Sequence, residues 1–386
     1  MFKIQTLNKI SIKGLNIFPP ESYEHASEII NPDAILVRSQ NMIDMDIPES
    51  VKAIARAGAG VNNIPVDKCS ERGIIVFNTP GANANGVKEL VIAGLFLTSR
   101  KIVEGISWVK SLEKDNDVSK KIEKGKSGFE GPEILGKKLG IIGLGAIGVM
   151  VANAANELGM TVIGYDPFIS VEAAWGLSRN IRKEDSLERL VSESDYITLH
   201  LPLNQNTRGI FNKEKFSLMK KGVRILNFAR GELINTKDLL DAINENIVAK
   251  YITDFPDKDI LDNENVIPVP HLGASTPESE ENCAVMAANQ IRDYLEKGNI
   301  KNSVNYPECI LALSGTKRIL VANRNIPNMI GQITQVLAEN KINIADMLNK
   351  SKGDLAYNII DIEGDVNNTI VEKIKSIKDV IMVRII

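Results

Sequence analysis

The chain is poor in several things, and each shortage excludes something. It has three cysteines, Cys69, Cys283 and Cys309, with no CxxC spacing. That speaks for a reducing compartment and against a disulfide framework or a zinc site, so no metal is expected. Aromatic residues make up 5% of the chain, which leaves the cores to aliphatic side chains. Neither sign of charge dominates: 46 Lys and Arg face 49 Asp and Glu, a net charge of −3. Nucleic acid and anionic membranes are therefore not expected as main partners. No apolar run is long enough to span a bilayer, and the opening MFKIQTLNKI has no signal-peptide pattern, so a cytoplasmic location is expected. Histidine is scarce too: His25, His200 and His271 are all there is.

What is present is a long, evenly mixed chain. Its 386 residues are too many for one core and imply two or three domains. In the first hundred residues the apolar runs Ala34–Val37, Val51–Ala57 and Ile74–Phe77 stop abruptly at Arg-Ser, Gly or Asn-Thr-Pro. Such runs predict an α/β domain with its loops gathered at the strand ends. Lys88–Leu97 is too long for a strand and reads as a buried helix, whereas residues 111–131 are charged and read as a solvated helix and loop. From residue 138 the rhythm is strand, turn, helix, repeated. Strands are predicted at Lys138–Ile142, Thr161–Tyr165, Tyr196–Leu199, Arg224–Phe228 and Tyr251–Thr253, as in a doubly wound parallel sheet. An Ala-rich helix at Glu281–Leu295 leads into an irregular connector at 298–316. The last seventy residues repeat the order β-α-β-β-α-β of a ferredoxin-like unit.

The segment LGIIGLGAIG contains a G-x-G-x-x-G formed by Gly143, Gly145 and Gly148, placed after a predicted strand and opening a predicted helix. Gly143 permits the tight turn, Gly145 the approach of a pyrophosphate to the backbone, and Gly148 close packing of helix on strand. The helix N-terminus supplies N–H groups and positive dipole to the phosphates. The next strand ends in Asp166, a carboxylate that accepts ribose hydroxyls and repels a 2′-phosphate, so NAD is expected over NADP. Further on, NFARG follows the strand VRIL and sets Arg230 at a parallel strand's carboxyl end, where ligands of such sheets bind. Hydride exchange between an alcohol and a ketone needs a group that trades a proton near neutral pH. His25 reads as part of a polar helix and His200 as a strand end, which leaves His271 in the rigid loop PVPHLGAST. A partner carboxylate is available in Asp254–Asp259 (DFPDKD), where spacing alone does not choose among the three.

Together VRSQ, RAGAGVNNI, FNTPGANA, LGKKLGIIGLGAIG, YDP, HLPL, NFARGELI and PHLGAST resemble the D-2-hydroxyacid dehydrogenase family over almost the whole chain. The resemblance implies two Rossmann-like domains followed by a ferredoxin-like ACT domain. The substrate domain would comprise residues 1–95 and 286–312, the NAD-binding domain 96–285, and the ACT domain 317–386. It makes Arg230 the anchor of the substrate carboxylate and carbonyl, and His271 the proton donor and acceptor. The family's glutamate partner falls at Asp259 when counted from Asp254 without a gap, giving a catalytic set of Arg230, Asp259 and His271. Cofactor contacts carry over to Thr79, Gly143, Gly145, Ala146, Ile147, Gly148, Asp166, His200, Phe228, Ala229, Arg230, Asp254, His271, Gly273 and Ala274. Arg38 and Ser39 match an RS pair that lies near a substrate phosphate in phosphoglycerate-oxidising members, and Gly60 and Val61 would meet the substrate carboxylate.

The C-terminal segment RILVANRNIPNMIGQI, with KINIADM and AYNIIDIEG, carries the ACT resemblance. It implies a serine effector held by Asn323, Asn325 and Asn343, a homodimer or homotetramer, and 3-phosphoglycerate as substrate on the way to L-serine. Asn328 stands where a turn glycine is usual and must take a left-handed conformation. The competing readings are a glyoxylate or hydroxypyruvate reductase and a non-catalytic NAD-sensing regulator. The first lacks a use for Arg38 and the ACT segment, and the second has no need of an intact Arg230, Asp259 and His271.

Overall fold

A computed structural model describes residues 1–114 and 116–386. By packing, the chain divides into two units: Met1–Asn83 with Pro277–Ile386, and Ala84–Thr276. The boundaries expected at 95/96 and 285/286 fall inside the helices Ala84–Ser99 and Pro277–Lys297. Each helix packs as one piece, so the chain changes unit at their N-terminal ends.

The Ala84–Thr276 unit is built on a seven-stranded parallel sheet. From one edge its strands are Val266–Pro268, Val248–Thr253, Val223–Asn227, Tyr196–Leu199, Lys138–Ile142, Thr161–Tyr165 and Arg182–Lys183. Central strands such as YITL are apolar without alternation because helices cover both faces. The chain reverses its strand order between Lys138–Ile142 and Tyr196–Leu199, the switch point where such sheets bind ligands. The helix Ala84–Ser99 lies close on the sheet through Gly94, where a Cβ would stand 3.0 Å from Leu226 and 3.1 Å from Phe228. The charged stretch after it forms the helices Ile102–Ser111 and Val118–Gly125, in which no described residue is buried.

The other unit holds two sheets. The first is five-stranded and parallel, in the order Tyr23–Ala26, Phe2–Leu7, Ala34–Val37, Ala53–Arg56, Ile75–Phe77. Here the sequence reading needs correction: His25 is not in a polar helix but is an exposed residue of the edge strand, aligned with Ile4. Pairing with Phe2–Leu7 overrides the weak local preference of YEHA. The helix Pro277–Lys297 returns the chain to this core and buries Ala284, Ala287, Ala288 and Ile291.

The second sheet is antiparallel, in the order Asn343–Lys352, Leu355–Glu363, Lys317–Arg324, Val380–Ile385, with helices Met329–Glu339 and Asn368–Lys375. This is the β-α-β-β-α-β order read from the sequence. Alternation along Lys317–Arg324 sends Ile319 and Val321 to the core with Ile333, Leu337 and Ile374. Leu320 and Ala322 face the opposite way and join Tyr294, Leu295, Ile300 and Tyr306. Arg318 and Asp361 form a buried bidentate pair, with Nε to Oδ1 at 2.6 Å and Nη2 to Oδ2 at 2.8 Å. Burial alone would raise the Asp361 carboxyl, but the hydrogen bonds from Arg318 and Ser314 hold it below the usual range. The C-terminal end of the return helix is gripped from this sheet: Arg318 donates to the Lys297 carbonyl (2.7 Å), Arg384 to that of Tyr294 (3.1 Å), and Tyr357 to that of Gly298 (2.8 Å). Asn328 adopts the left-handed conformation foreseen for it, with φ of 68°.

Candidate active site

The glycine turn has the geometry its spacing demands. Gly143 has φ of +94°, and a Cβ there would stand 2.5 Å from the His200 carbonyl oxygen. A Cβ on Gly148 would stand 2.0 Å from the Gly143 oxygen. At Gly145, by contrast, nothing described lies within 4 Å of that position, so backbone is open to an incoming group. Gly145 caps the helix Ala146–Glu157 without a side-chain hydrogen bond, and the first helical bond runs from Val149 N–H to Gly145. The amides of Ala146, Ile147 and Gly148 therefore have no acceptor inside the helix. Asp166 is pinned through both oxygens, Oδ2 by the Leu144 N–H (2.8 Å) and Oδ1 by the Phe168 N–H (2.9 Å). That fixes a carboxylate at the end of the strand Thr161–Tyr165 with lone pairs to spare for a diol.

The far end of the same sheet holds the polar groups. Asp254 follows Val248–Thr253 and is 2% exposed. Its Oδ2 accepts from the Gly273 N–H at 3.2 Å, while its Oδ1 is buried with no partner among the described residues. Burial raises this carboxyl, and the Gly273 N–H, His271 and Arg230 only partly offset it. A buried acceptor without a donor fits an amide NH2 arriving with a nicotinamide. The residues of this unit thus fit NAD at both ends: an open glycine turn for the pyrophosphate, and an orphaned acceptor for the carboxamide.

Arg230 and His271 are brought together by a residue that sequence reasoning passed over. The Phe255 ring lies 4.5 Å from the His271 ring, centroid to centroid, and the Arg230 guanidinium carbon lies 5.6 Å from the Phe255 centroid. A guanidinium over an aromatic face gains electrostatic attraction and keeps its edge donors. The available signal was its place, an aromatic next to Asp254 directly after a strand. The loop beneath Arg230 is held by buried Asn227, whose Nδ2 donates to the Arg230 carbonyl (2.9 Å) and to the Tyr251 hydroxyl (3.2 Å). Its Oδ1 accepts from the Ala229 N–H at 3.2 Å. Phe228 is buried and Ala229 half-buried in the same turn.

His271 is exposed and has a positive φ of 39°. Its N–H donates to the Asp254 carbonyl at 3.1 Å, and Ala274 follows buried Gly273 in the same loop. Among the described residues no hydrogen bond or ion pair joins its ring to Asp259. Asp259 is exposed on the short turn Lys258–Ile260, its N–H bonded to Asp257 Oδ1 at 3.0 Å. Asp257 itself takes the Thr236 hydroxyl at 2.7 Å. His271 and Arg230 both act electrostatically on the Asp254 carboxyl, favouring its charged form. His200 bonds the Thr198 hydroxyl at 3.1 Å, and burial pushes its imidazole down to about 4, so it is neutral at physiological pH.

The remaining candidates belong to the other unit. Arg38, at the end of Ala34–Val37, is half-exposed and donates to Glu280. The N–H groups of Ser39 and Gln40 both donate to Asn8 Oδ1, at 3.0 and 2.6 Å. Arg56 donates to the carbonyls of Arg38 and Gly60, and so fixes the loop that carries Gly60 and Val61. Thr79 is buried, with its N–H on the Gly58 carbonyl at 3.1 Å. In the C-terminal sheet Asn323 is buried and accepts from Asn358 (2.8 Å). Asn325 donates to the Gly353 carbonyl (3.1 Å) and Asn343 to Glu363 (2.7 Å). Among the described residues no cluster of His, Cys, Asp and Glu could hold a metal, and no helix is long and apolar enough to cross a membrane.

With this geometry in hand, known proteins align with it. Residues 92–273 match the family model for the D-isomer specific 2-hydroxyacid dehydrogenase, NAD binding domain. The D-3-phosphoglycerate dehydrogenase of Methanocaldococcus jannaschii is 35% identical over 342 residues, which are 86% of this chain and 62% of that protein. The chain thus spans about three-fifths of that relative's length. The Escherichia coli K12 D-3-phosphoglycerate dehydrogenase is 30% identical over 366 residues, 91% of this chain and 86% of its own. Among solved structures, the NAD+-bound 3-phosphoglycerate dehydrogenase of Entamoeba histolytica is 30% identical, with a TM-score of 0.61 over 79% of this chain and 98% of that one. The matched domain is an NAD-binding domain, and the chain belongs to the D-2-hydroxyacid dehydrogenase family.

Proposed function

We propose that the protein is a D-3-phosphoglycerate dehydrogenase, oxidising 3-phospho-D-glycerate to 3-phosphohydroxypyruvate in the first step of phosphorylated L-serine synthesis. The observation that carries this is the Arg230–Phe255–His271 cluster beside the orphaned Asp254 oxygen. NAD, when bound, supplies the two-electron acceptor. Gly143–Gly148 and Asp166 would hold its pyrophosphate and ribose, and Asp254 its carboxamide. Arg230 binds the substrate carboxylate and carbonyl oxygen with its fork of donors, which the Phe255 face leaves free. His271 takes the hydroxyl proton from the substrate and returns it in the reverse direction. Ser39, Gly60 and Val61 line the substrate, and Arg38 faces its phosphate.

Asp259 is the proposed partner of His271, recruited when the loop tightens on substrate, since catalytic hydrogen bonds are often formed only in the loaded enzyme. Asp259→Asn then flattens or shifts the acid limb of the pH profile of kcat/KM; an unchanged profile sinks the assignment and leaves Asp254 as the carboxylate that serves His271. The β-α-β-β-α-β unit is proposed as an ACT module sensing serine through Asn323, Asn325 and Asn343. Its exposed edge strand Asn343–Lys352 supports pairing with a second copy in a dimer or tetramer. The test is NADH oxidation with 3-phosphohydroxypyruvate, with glyoxylate as the competing substrate, with and without L-serine. Turnover favouring glyoxylate overturns the substrate, and insensitivity to serine overturns the effector.

A further inference from the structure

Arg38 does not stand alone. Its Nη2 meets Glu280 Oε1 at 2.5 Å, with the two side chains 40% and 43% exposed. The contact engages one oxygen and one nitrogen, so most of the guanidinium fork is uncommitted by it. The carboxylate comes from the first turn of the return helix, which also carries Glu278. Glu281, the next residue, is paired with Lys13. Neighbouring Arg56 bonds the backbone of Arg38 and Gly60 and shapes the loop. The charge of Arg38 is met at the surface by Glu280.

We propose that Glu280 is an internal counter-ion that occupies Arg38 in the empty enzyme, is displaced by the substrate's phosphate, and returns as product leaves. This rests on the reading of Arg38 as the phosphate-binding residue. A phosphate carries close to two negative charges and three acceptor oxygens, against one charge on a carboxylate, and can take the guanidinium through two parallel bonds. An exposed ion pair is weak enough for such an exchange. A carboxylate serving to orient Arg38 would be buried behind it and bidentate, as Asp361 is for Arg318. Glu280 is neither, and left in place it would repel the phosphate. Its cost is a raised KM for any substrate whose charged tail must reach Arg38, and its return to Arg38 favours release of the phosphorylated product.

The experiment is steady-state reduction of 3-phosphohydroxypyruvate and of hydroxypyruvate, which lacks the phosphate, at low ionic strength. It compares the natural protein with Glu280→Gln, Arg38→Gln and the double variant. Glu280→Gln is expected to lower the KM for the phosphorylated substrate about two- to fivefold, the range an exposed pair spans. The KM for hydroxypyruvate should fall less. Inorganic phosphate should become a stronger competitive inhibitor by a similar factor. All of these gains should vanish in the Arg38→Gln background. A rise in KM, or no change while Arg38→Gln raises it, overturns the counter-ion role. If Arg38→Gln leaves the ratio of the two KM values untouched, the phosphate reading of Arg38 itself has failed.

Discussion

Two arginine–carboxylate pairs in the Met1–Asn83 and Pro277–Ile386 unit are opposites in everything but chemistry. Arg318 and Asp361 are 1% and 0% exposed and share two hydrogen bonds, with Ser314 and the Lys297 carbonyl completing their shell. Arg38 and Glu280 are 40% and 43% exposed and share one. The buried pair cannot be opened without stranding a charge away from water, so it serves as a fixed joint between sheet, connector and return helix. The exposed pair opens at small cost and can be exchanged for another anion. Burial, more than the residue types, decides whether a guanidinium serves architecture or ligand.

The largest effect should come from breaking the buried pair on one side. Asp361→Ala is expected to lower the unfolding free energy by about 3–5 kcal/mol in urea titrations. Arg318→Met combined with Asp361→Leu should recover much of that, because neither charge is then orphaned. A loss under about 1 kcal/mol for the single variant would erase the distinction between the two pairs.

The pH dependence sharpens it. Asp361 is held below its ordinary value, so its contribution is complete above the unfolded-state value of about 4 and is lost as pH falls through the lowered folded value. The stability gap between the natural protein and Asp361→Asn should therefore be constant at neutral pH and close only in acid. A gap that closes between pH 6 and 8 would contradict the assignment.

Smaller still, Arg38→Gln should change unfolding stability by no more than about 0.5 kcal/mol, since it touches only an exposed pair. Its effect should appear in the KM for the phosphorylated substrate instead. Least of all, raising salt from about 0.05 M to 0.5 M should weaken phosphate-dependent binding while leaving the Asp361 contribution in place, because screening reaches exposed charges and spares buried ones. Equal salt sensitivity in both measurements would count against the contrast.

The same division explains what could be read from the sequence. Gly143, Gly145 and Gly148 each answer a local backbone need, so spacing alone disclosed a positive φ, an open face and a close packing that the geometry displays. Strands such as Lys138–Ile142 and Tyr196–Leu199 were legible because burial on both faces leaves an unbroken apolar run. His25 was misread because a four-residue edge strand is made by its neighbour, Phe2–Leu7, and not by its own composition. The partnership of Arg230 with Phe255 and His271, the orphaned oxygen of Asp254 and the meeting of Arg38 with Glu280, 242 residues away, are products of tertiary placement. No local pattern encodes them.

The return helix gives the contrast a mechanical side. Pro277–Lys297 is 21 residues long, about 30 Å at 1.5 Å per residue. Its last turn is clasped by Arg318, Arg384 and Tyr357 of the C-terminal sheet, and its first turn carries Glu280. A shift of that sheet which keeps its clasp must move the far end of the rod as well. The helix is thus a lever with an anchored handle and a charged tip, joining the C-terminal sheet to Arg38 without crossing a single loop.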